Sequence, residues 1–252
     1  MMDLADFYPT PADLVKSEEA VLEHLRNNTY ITEQQPQVAR DAAAYYGRNR
    51  GSQSEFDFHT HFDVWHPSMR RGKPGRRGER AGPNVRLTVS ARVEWKKKTI
   101  LNVTYCLSVC RIRPWGTPTR VRVLRKFHFD VVGSGGGTRS QEHPRCHLQY
   151  GGKMVPYMET VGCLTNQLEE LHPWLSEPRI SYWPMSLALL IDMALHEFPD
   201  QRSAKFRADS HWRGLVHRQE DLLLKPFYSK CVEVIETGTG DDLTLADALY
   251  VA

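Results

Sequence analysis

Between Val121 and Gly152 the chain places His128, Asp130, His143, Arg145, His147 and Gln149 around one glycine loop. These residue types can exchange protons and hold an anion. Histidine titrates near pH 6.5 when unperturbed, so it can act as base or acid close to neutrality. RNA cleavage without a metal needs a base for the 2′-hydroxyl, an acid for the departing 5′-oxygen and a cation for the charge that builds on phosphorus. In that scheme His128 and His147 are the acid and base candidates, Arg145 the phosphate clamp and Asp130 the orienting group, with Arg122, Lys126 and Gln149 guiding the substrate. The competing reading is the ordinary polar face of an antiparallel sheet, which every such sheet presents on one side.

The elements that must carry these residues are strands. His128 and Asp130 are two apart, as are Arg145, His147 and Gln149, so each set leaves one face of an extended chain about 7 Å apart. The two rows become neighbours if the fourth and fifth strands pair as a hairpin. Period-2 alternation begins at Glu55, where Phe56, Phe58, Phe62 and Val64 alternate with Asp57, His59, His61 and Asp63. It continues through Val85–Trp95 and Leu101–Val109, then through Val121, Val123, Phe127, Phe129 and Val131 on the fourth strand, and ends in Cys146, Leu148 and Tyr150. Short connections between these segments require an antiparallel meander, since parallel neighbours need crossovers of a dozen or more residues.

Helices flank the strands. Thr10-Pro11-Ala12-Asp13 has a hydroxyl cap, a first-turn proline and an acid at the positive end of the dipole, followed by Leu14, Val21, Leu22 and Leu25 at helical spacing. Ala39, Ala42, Ala43 and Tyr46 form a second stripe after Pro36. Beyond Gly152 the pattern is helical again: Leu187, Leu190, Ile191, Ala194, Leu195 and Phe198 share one face, Phe227, Cys231, Val234 and Ile235 another behind Pro226, and residues 200–220 read as weakly helical. The expected fold is α+β, with N-terminal helices, a five-stranded antiparallel meander and a C-terminal helical extension. Residues 1–155 form the sheet domain and 156–252 the extension packed on it.

Other motifs narrow the chemistry. Arg70, Arg71, Lys73, Arg76, Arg77 and Arg80 face only Glu79 between the first two strands, a loop suited to displacing counterions from a phosphate backbone. A metal could be gathered from His59, His61 and Asp63 with His128, Asp130 and His147, if the first strand lies near the fourth, and a metal-dependent nuclease is the third reading. Pro144 prevents His143 and His147 from forming a helical ligand pair. The run Gly133–Gly137 lacks the lysine and hydroxyl residue of a P-loop. The five cysteines, Cys106, Cys110, Cys146, Cys163 and Cys231, form no CxxC pair and read as reduced, inert core thiols. The longest apolar run is interrupted by Asp192, the N-terminal stretch lacks a basic region followed by an apolar one, and the net charge is only +3. A cytoplasmic protein with no membrane segment and no cofactor is expected.

The residues Phe127-His128-Phe129-Asp130, His143-Pro144-Arg145-Cys146-His147-Leu148 and Gly151-Gly152 resemble the aromatic-flanked His and Asp strand, the HPxxH motif and the glycine of TumE-type toxins from prokaryotic toxin–antitoxin pairs. The resemblance spans one hairpin. It implies a RelE-like or related ribonuclease fold and an antitoxin partner. The leading expectation is therefore an RNA-directed, metal-independent ribonuclease or toxin-like effector of a prokaryotic conflict system. The alternative is a non-catalytic nucleic-acid-binding subunit of a larger complex.

Overall fold

The first described helix begins where the sequence places its cap. The structure is a computed structural model that describes residues 7–28, 54–64, 85–96, 99–113, 120–133, 143–150, 179–199, 201–237 and 250–251. Helix α1 (Pro11–Asn27) starts behind Thr10, whose hydroxyl accepts from the Asp13 amide at 3.3 Å, and stops at Asn28, whose side chain and backbone N–H both donate to the His24 carbonyl. Leu14, Val21, Leu22 and Leu25 are buried, as the helical spacing requires. The second helix expected after Pro36 and the Arg70–Arg80 loop lie outside the described residues.

Strands β1 (Ser54–Val64), β2 (Val85–Lys96), β3 (Thr99–Arg113) and β4 (Arg120–Val132) form the antiparallel meander. The predicted fifth strand is β6 (Cys146–Tyr150), and a separate two-residue strand, β5 (His143–Pro144), precedes it across a bend at Arg145. The main sheet gains a sixth member, β7 (Arg179–Ser181), from a stretch read as helical, and its order is β1-β2-β3-β4-β6-β7. A two-residue strand near the end of the chain, β8 (Tyr250–Val251), pairs with β5. The α+β class and the meander hold.

Two irregularities matter for the site. Arg125 pairs with Val109 and Val123 with Cys110, so Leu124 is an extra residue in β4 and the alternation inverts there. Arg122 is consequently in register with Arg111, one residue out of step with the count back from Lys126. At the end of β4, Gly133 donates to the Leu101 carbonyl at 2.7 Å, and a Cβ there would stand 2.3 Å from the Ile100 oxygen. Only glycine allows the chains to approach so closely.

Among the described residues, four α-helices follow the last strand of the sheet. Helix α2 (Leu187–Glu197) is capped by Ser186, whose hydroxyl accepts from Leu189, and rests on β2 and β3 with Leu187, Leu190, Ile191, Ala194 and Leu195 buried. The stretch expected to be weakly helical contains α3 (Gln201–Arg207) and α4 (Ser210–Gln219). Asp192 ties them to α2 by accepting from Arg207 at 3.0 and 3.1 Å and from the Trp212 indole at 2.9 Å, and Trp212 is fully buried. A five-residue π turn (Glu220–Leu224) leads into α5 (Lys225–Thr237). Pro226 explains the widening, because it supplies no N–H to the preceding turn. Phe227 and Cys231 point inward as predicted, but Ile235 is 63% exposed and does not belong to the buried stripe.

Residues on both sides of position 155 share one core, which includes Leu14, Leu87, Tyr105, Leu190 and Trp212. Within it Glu18 joins three elements: it accepts from the Tyr105 hydroxyl at 2.7 Å and from the Leu187 amide at 3.2 Å, at the start of α2. Among the described residues no helix is long and apolar enough to cross a membrane.

Candidate active site at the polar end of the sheet

The predicted hairpin partners meet. Strand β4 pairs with β6 so that Asp130 lies opposite His147 and His128 opposite Gln149. The register extends these pairs into rows. Arg92, Thr104, Asp130, His147 and Ser181 form one row, Ser90, Cys106, His128 and Gln149 the next, and Thr88, Ser108 and Lys126 a third.

The expected solvated face is in large part an interior. Thr88, Ser90, Cys106, Ser108, Cys110 and Lys126 are all buried. Side chains along the same strand supply some of the missing hydrogen bonds, as between Cys106 and Ser108 of β3 at 3.8 Å, whereas the Thr88 hydroxyl has no partner. At one end of the face a cavity of about 350 Å³ forms, lined by Arg92, Glu94, Asn102, Thr104, Asp130, His147 and Gln149, with Val103, Val131 and Val132 beneath.

His147 is clamped at this cavity and only 4% exposed. Its Nδ1 donates to the Pro144 carbonyl at 2.9 Å, which fixes the ring and leaves Nε2 3.4 Å from the Asp130 carboxylate. The short bend at Arg145 makes this contact possible by carrying the Pro144 oxygen over the imidazole. Asp130 also accepts from the Thr104 hydroxyl at 2.6 Å. Burial alone would push its carboxyl up, but the hydrogen bond and charge of His147, the Thr104 hydroxyl and His128 outweigh it and hold the group below the usual carboxylate range. The pair is thus a carboxylate facing an imidazole nitrogen whose partner nitrogen is already committed.

His128 does not take the second proton role. Burial, reinforced by the charge of Lys126, holds its pKa down at about 4 against the pull of Asp130, so the ring is neutral throughout the physiological range. Its Nε2 is buried without a hydrogen-bond partner, and the ring is not part of the cavity wall. Arg145 is also displaced from its predicted position. It is 6% exposed at the bend, its Nε and one Nη find no acceptor, and it is absent from the cavity, so it cannot clamp a phosphate there. Lys126 is buried opposite Ser108, and burial pushes its ammonium down despite Cys106 and Asp130 nearby, which removes it as a surface guide. Burial likewise pushes the Cys106 thiol up, against the charge of Lys126, consistent with an inert cysteine.

The imagined metal cluster does not assemble. Strand β1 lies three places from β4, on the order of 14 Å away at the usual strand spacing, so His59, His61 and Asp63 cannot join His128, Asp130 and His147. Among the described residues no three His, Cys, Asp or Glu side chains form a metal-binding group. The side chains of His59, Asp63, Arg122 and His143 lie outside the described set.

Four wall residues were not singled out from the sequence: Arg92, Glu94, Asn102 and Thr104. Asn102 donates to Glu94 at 2.8 Å, and Arg92 approaches the other Glu94 oxygen at 3.5 Å. Their signal was present as the polar positions of β2 and β3, at the same level as Asp130 once the meander register is counted. The chain matches no protein-family model, no curated protein and no solved structure in comparison with known proteins.

Proposed function

We propose that the protein is an RNA-directed ribonuclease, a toxin-like effector of a prokaryotic conflict system, in which His147 carries the proton transfers without an obligatory metal. The observation that supports this reading is the clamped His147–Asp130 pair at the wall of a polar cavity. His147 takes the 2′-hydroxyl proton at Nε2, Asp130 stabilises the imidazolium that results, and the same nitrogen returns the proton to the 5′-oxygen. Arg92, half-exposed on β2 at the far side of the cavity from His147, lends positive charge to the site, while Gln149 and Asn102 offer hydrogen bonds to sugar or base. Arg70, Arg71, Arg76 and Arg77 extend the anionic track, the cytoplasm is the working compartment, and an antitoxin or complex subunit is the protein partner.

The test compares RNA cleavage by His147→Ala and His128→Ala. Loss of a general acid–base group reduces the rate by about 10²-fold or more, so His147→Ala should fall by that much while His128→Ala cleaves nearly as well as the parent. A folded His147→Ala protein that cleaves at the parental rate would falsify the assignment. The near-complete burial of His147 favours a second reading, a non-catalytic nucleic-acid-binding subunit. That reading predicts salt-dependent RNA binding without cleavage, insensitive to His147 and lost when the four arginines are neutralised.

A further inference from the structure

The opposite, apolar face of the sheet holds a second and larger cavity, about 700 Å³, between β3, β4, β6 and α2. Its position follows from the fold. Helix α2 rests on β2 and β3 and ends at Glu197, so the β4 and β6 side of the apolar face is less completely covered than the β2 side. Phe127, Phe129, Leu148, Tyr182 and Met193 line the resulting hollow. Phe127, Leu148, Tyr182 and Met193 are only partly buried, although Val89 and Val93 on β2 are fully covered. A volume of several hundred Å³ with mainly apolar, aromatic walls and a few polar groups is typical of small-molecule sites.

The charged groups of the wall are Arg125 and Glu197, one on each side. Arg125 shares this face with Phe127 and Phe129 by the alternation of β4, directly after the extra residue at Leu124. Its Nη1 donates to the Leu124 carbonyl at 2.8 Å, which braces the guanidinium at the rim and leaves its other N–H groups available. Glu197 is in the last turn of α2, where the terminal carbonyls add partial negative charge to its carboxylate. Both side chains are exposed, and they form no ion pair with each other. A purely anionic ligand would meet repulsion at the helix end, and a purely cationic one at Arg125.

We propose that this cavity binds a small aromatic zwitterion of amino-acid to dipeptide size, with its ring among Phe127, Phe129, Tyr182 and Met193, its carboxylate on Arg125, and its ammonium at Glu197 and the end of α2. Ring stacking and sulfur contact supply the apolar half of recognition, and charge complementarity across the mouth supplies the rest. The site is separated from the polar cavity by the thickness of the sheet and does not depend on the activity assigned there.

The full chain is titrated calorimetrically with tryptophan and leucyl-tryptophan, and with the same indole ring carrying one charge or none: indole-3-propionate, tryptamine and N-acetyltryptophanamide. The Met193 methyl resonance reports whether binding occurs in this cavity. The zwitterions should bind most tightly and shift that resonance. Arg125→Ala should weaken them about tenfold or more and erase their advantage over tryptamine. Glu197→Gln should erase their advantage over indole-3-propionate. Neither exposed residue supports the core, so both variants fold. Binding of none of these compounds at millimolar concentration, equal binding of a singly charged or neutral analogue, or a Met193 resonance that does not move would each overturn the proposal.

Discussion

Glu18→Gln should stabilise the protein at pH 8 and change its stability little at pH 4. Glu18 is 3% exposed, and burial pushes its carboxyl up from 4.5 to about 7, although the hydrogen bonds from Tyr105 and Leu187 pull the other way. The folded state therefore favours the protonated acid. Below about pH 4.5 the group is protonated whether the chain is folded or not, and its contribution is intact. As the pH rises to about 7 the unfolded chain has released the proton and the folded chain still holds it, so stability falls by about 1.4 kcal/mol per pH unit. Across the shift this amounts to about 3 kcal/mol, a large share of the 5–15 kcal/mol that holds a typical domain together. Glutamine keeps an oxygen to accept from Tyr105 and Leu187 but cannot ionise, so it should recover most of that loss at pH 8. Urea denaturation of both proteins at pH 4, 6 and 8 measures the difference. A variant whose stability runs parallel to the parent's across this range would show that Glu18 does not ionise in the folded protein as its surroundings require.

Two further substitutions test the packing around the site. Gly133→Ala should cost about 3 kcal/mol, the upper end for overpacking, because the new methyl would meet the Ile100 carbonyl and part β4 from β3; an unchanged melting temperature would contradict the close approach. Arg145→Met should be neutral or stabilising by about 1–4 kcal/mol in denaturant unfolding, since it removes a buried guanidinium with unsatisfied N–H groups, whereas a large loss would reveal a partner that the arginine needs.

Periodicity carried most of the fold because strands and helices bury their apolar residues at different intervals. The faces of β2 and β3, the cap of α1, the apolar stripe of α2 and the pairing of β4 with β6 could all be read from spacing, and so could the juxtaposition of Asp130 with His147. Depth could not. Alternation distinguishes the two sides of a strand but does not say whether the polar side is itself covered, and this error placed His128 and Lys126 in water. The extra residue at Leu124 was also hidden, since Val121, Val123, Phe127 and Phe129 look continuous in a period-2 reading that passes through the inversion. Arg145 was misplaced for a related reason: a bend takes the place of the first residue of the predicted strand, and the carbonyl of Pro144 just before that bend fixes His147.

The widened turn ahead of Pro226 determines more than a local bend. Downstream of it the chain carries two superposable apolar ladders one residue apart: Phe227, Cys231 and Val234, which face the core, and Tyr228, Val232 and Ile235, which face outward. A regular α turn over the same residues would advance everything after it by about 100° and bring Pro226, Lys230 and Glu233 into the places of Phe227, Cys231 and Val234. The extra residue that the proline leaves in the turn is what keeps an apolar ladder, rather than a charged one, against the core.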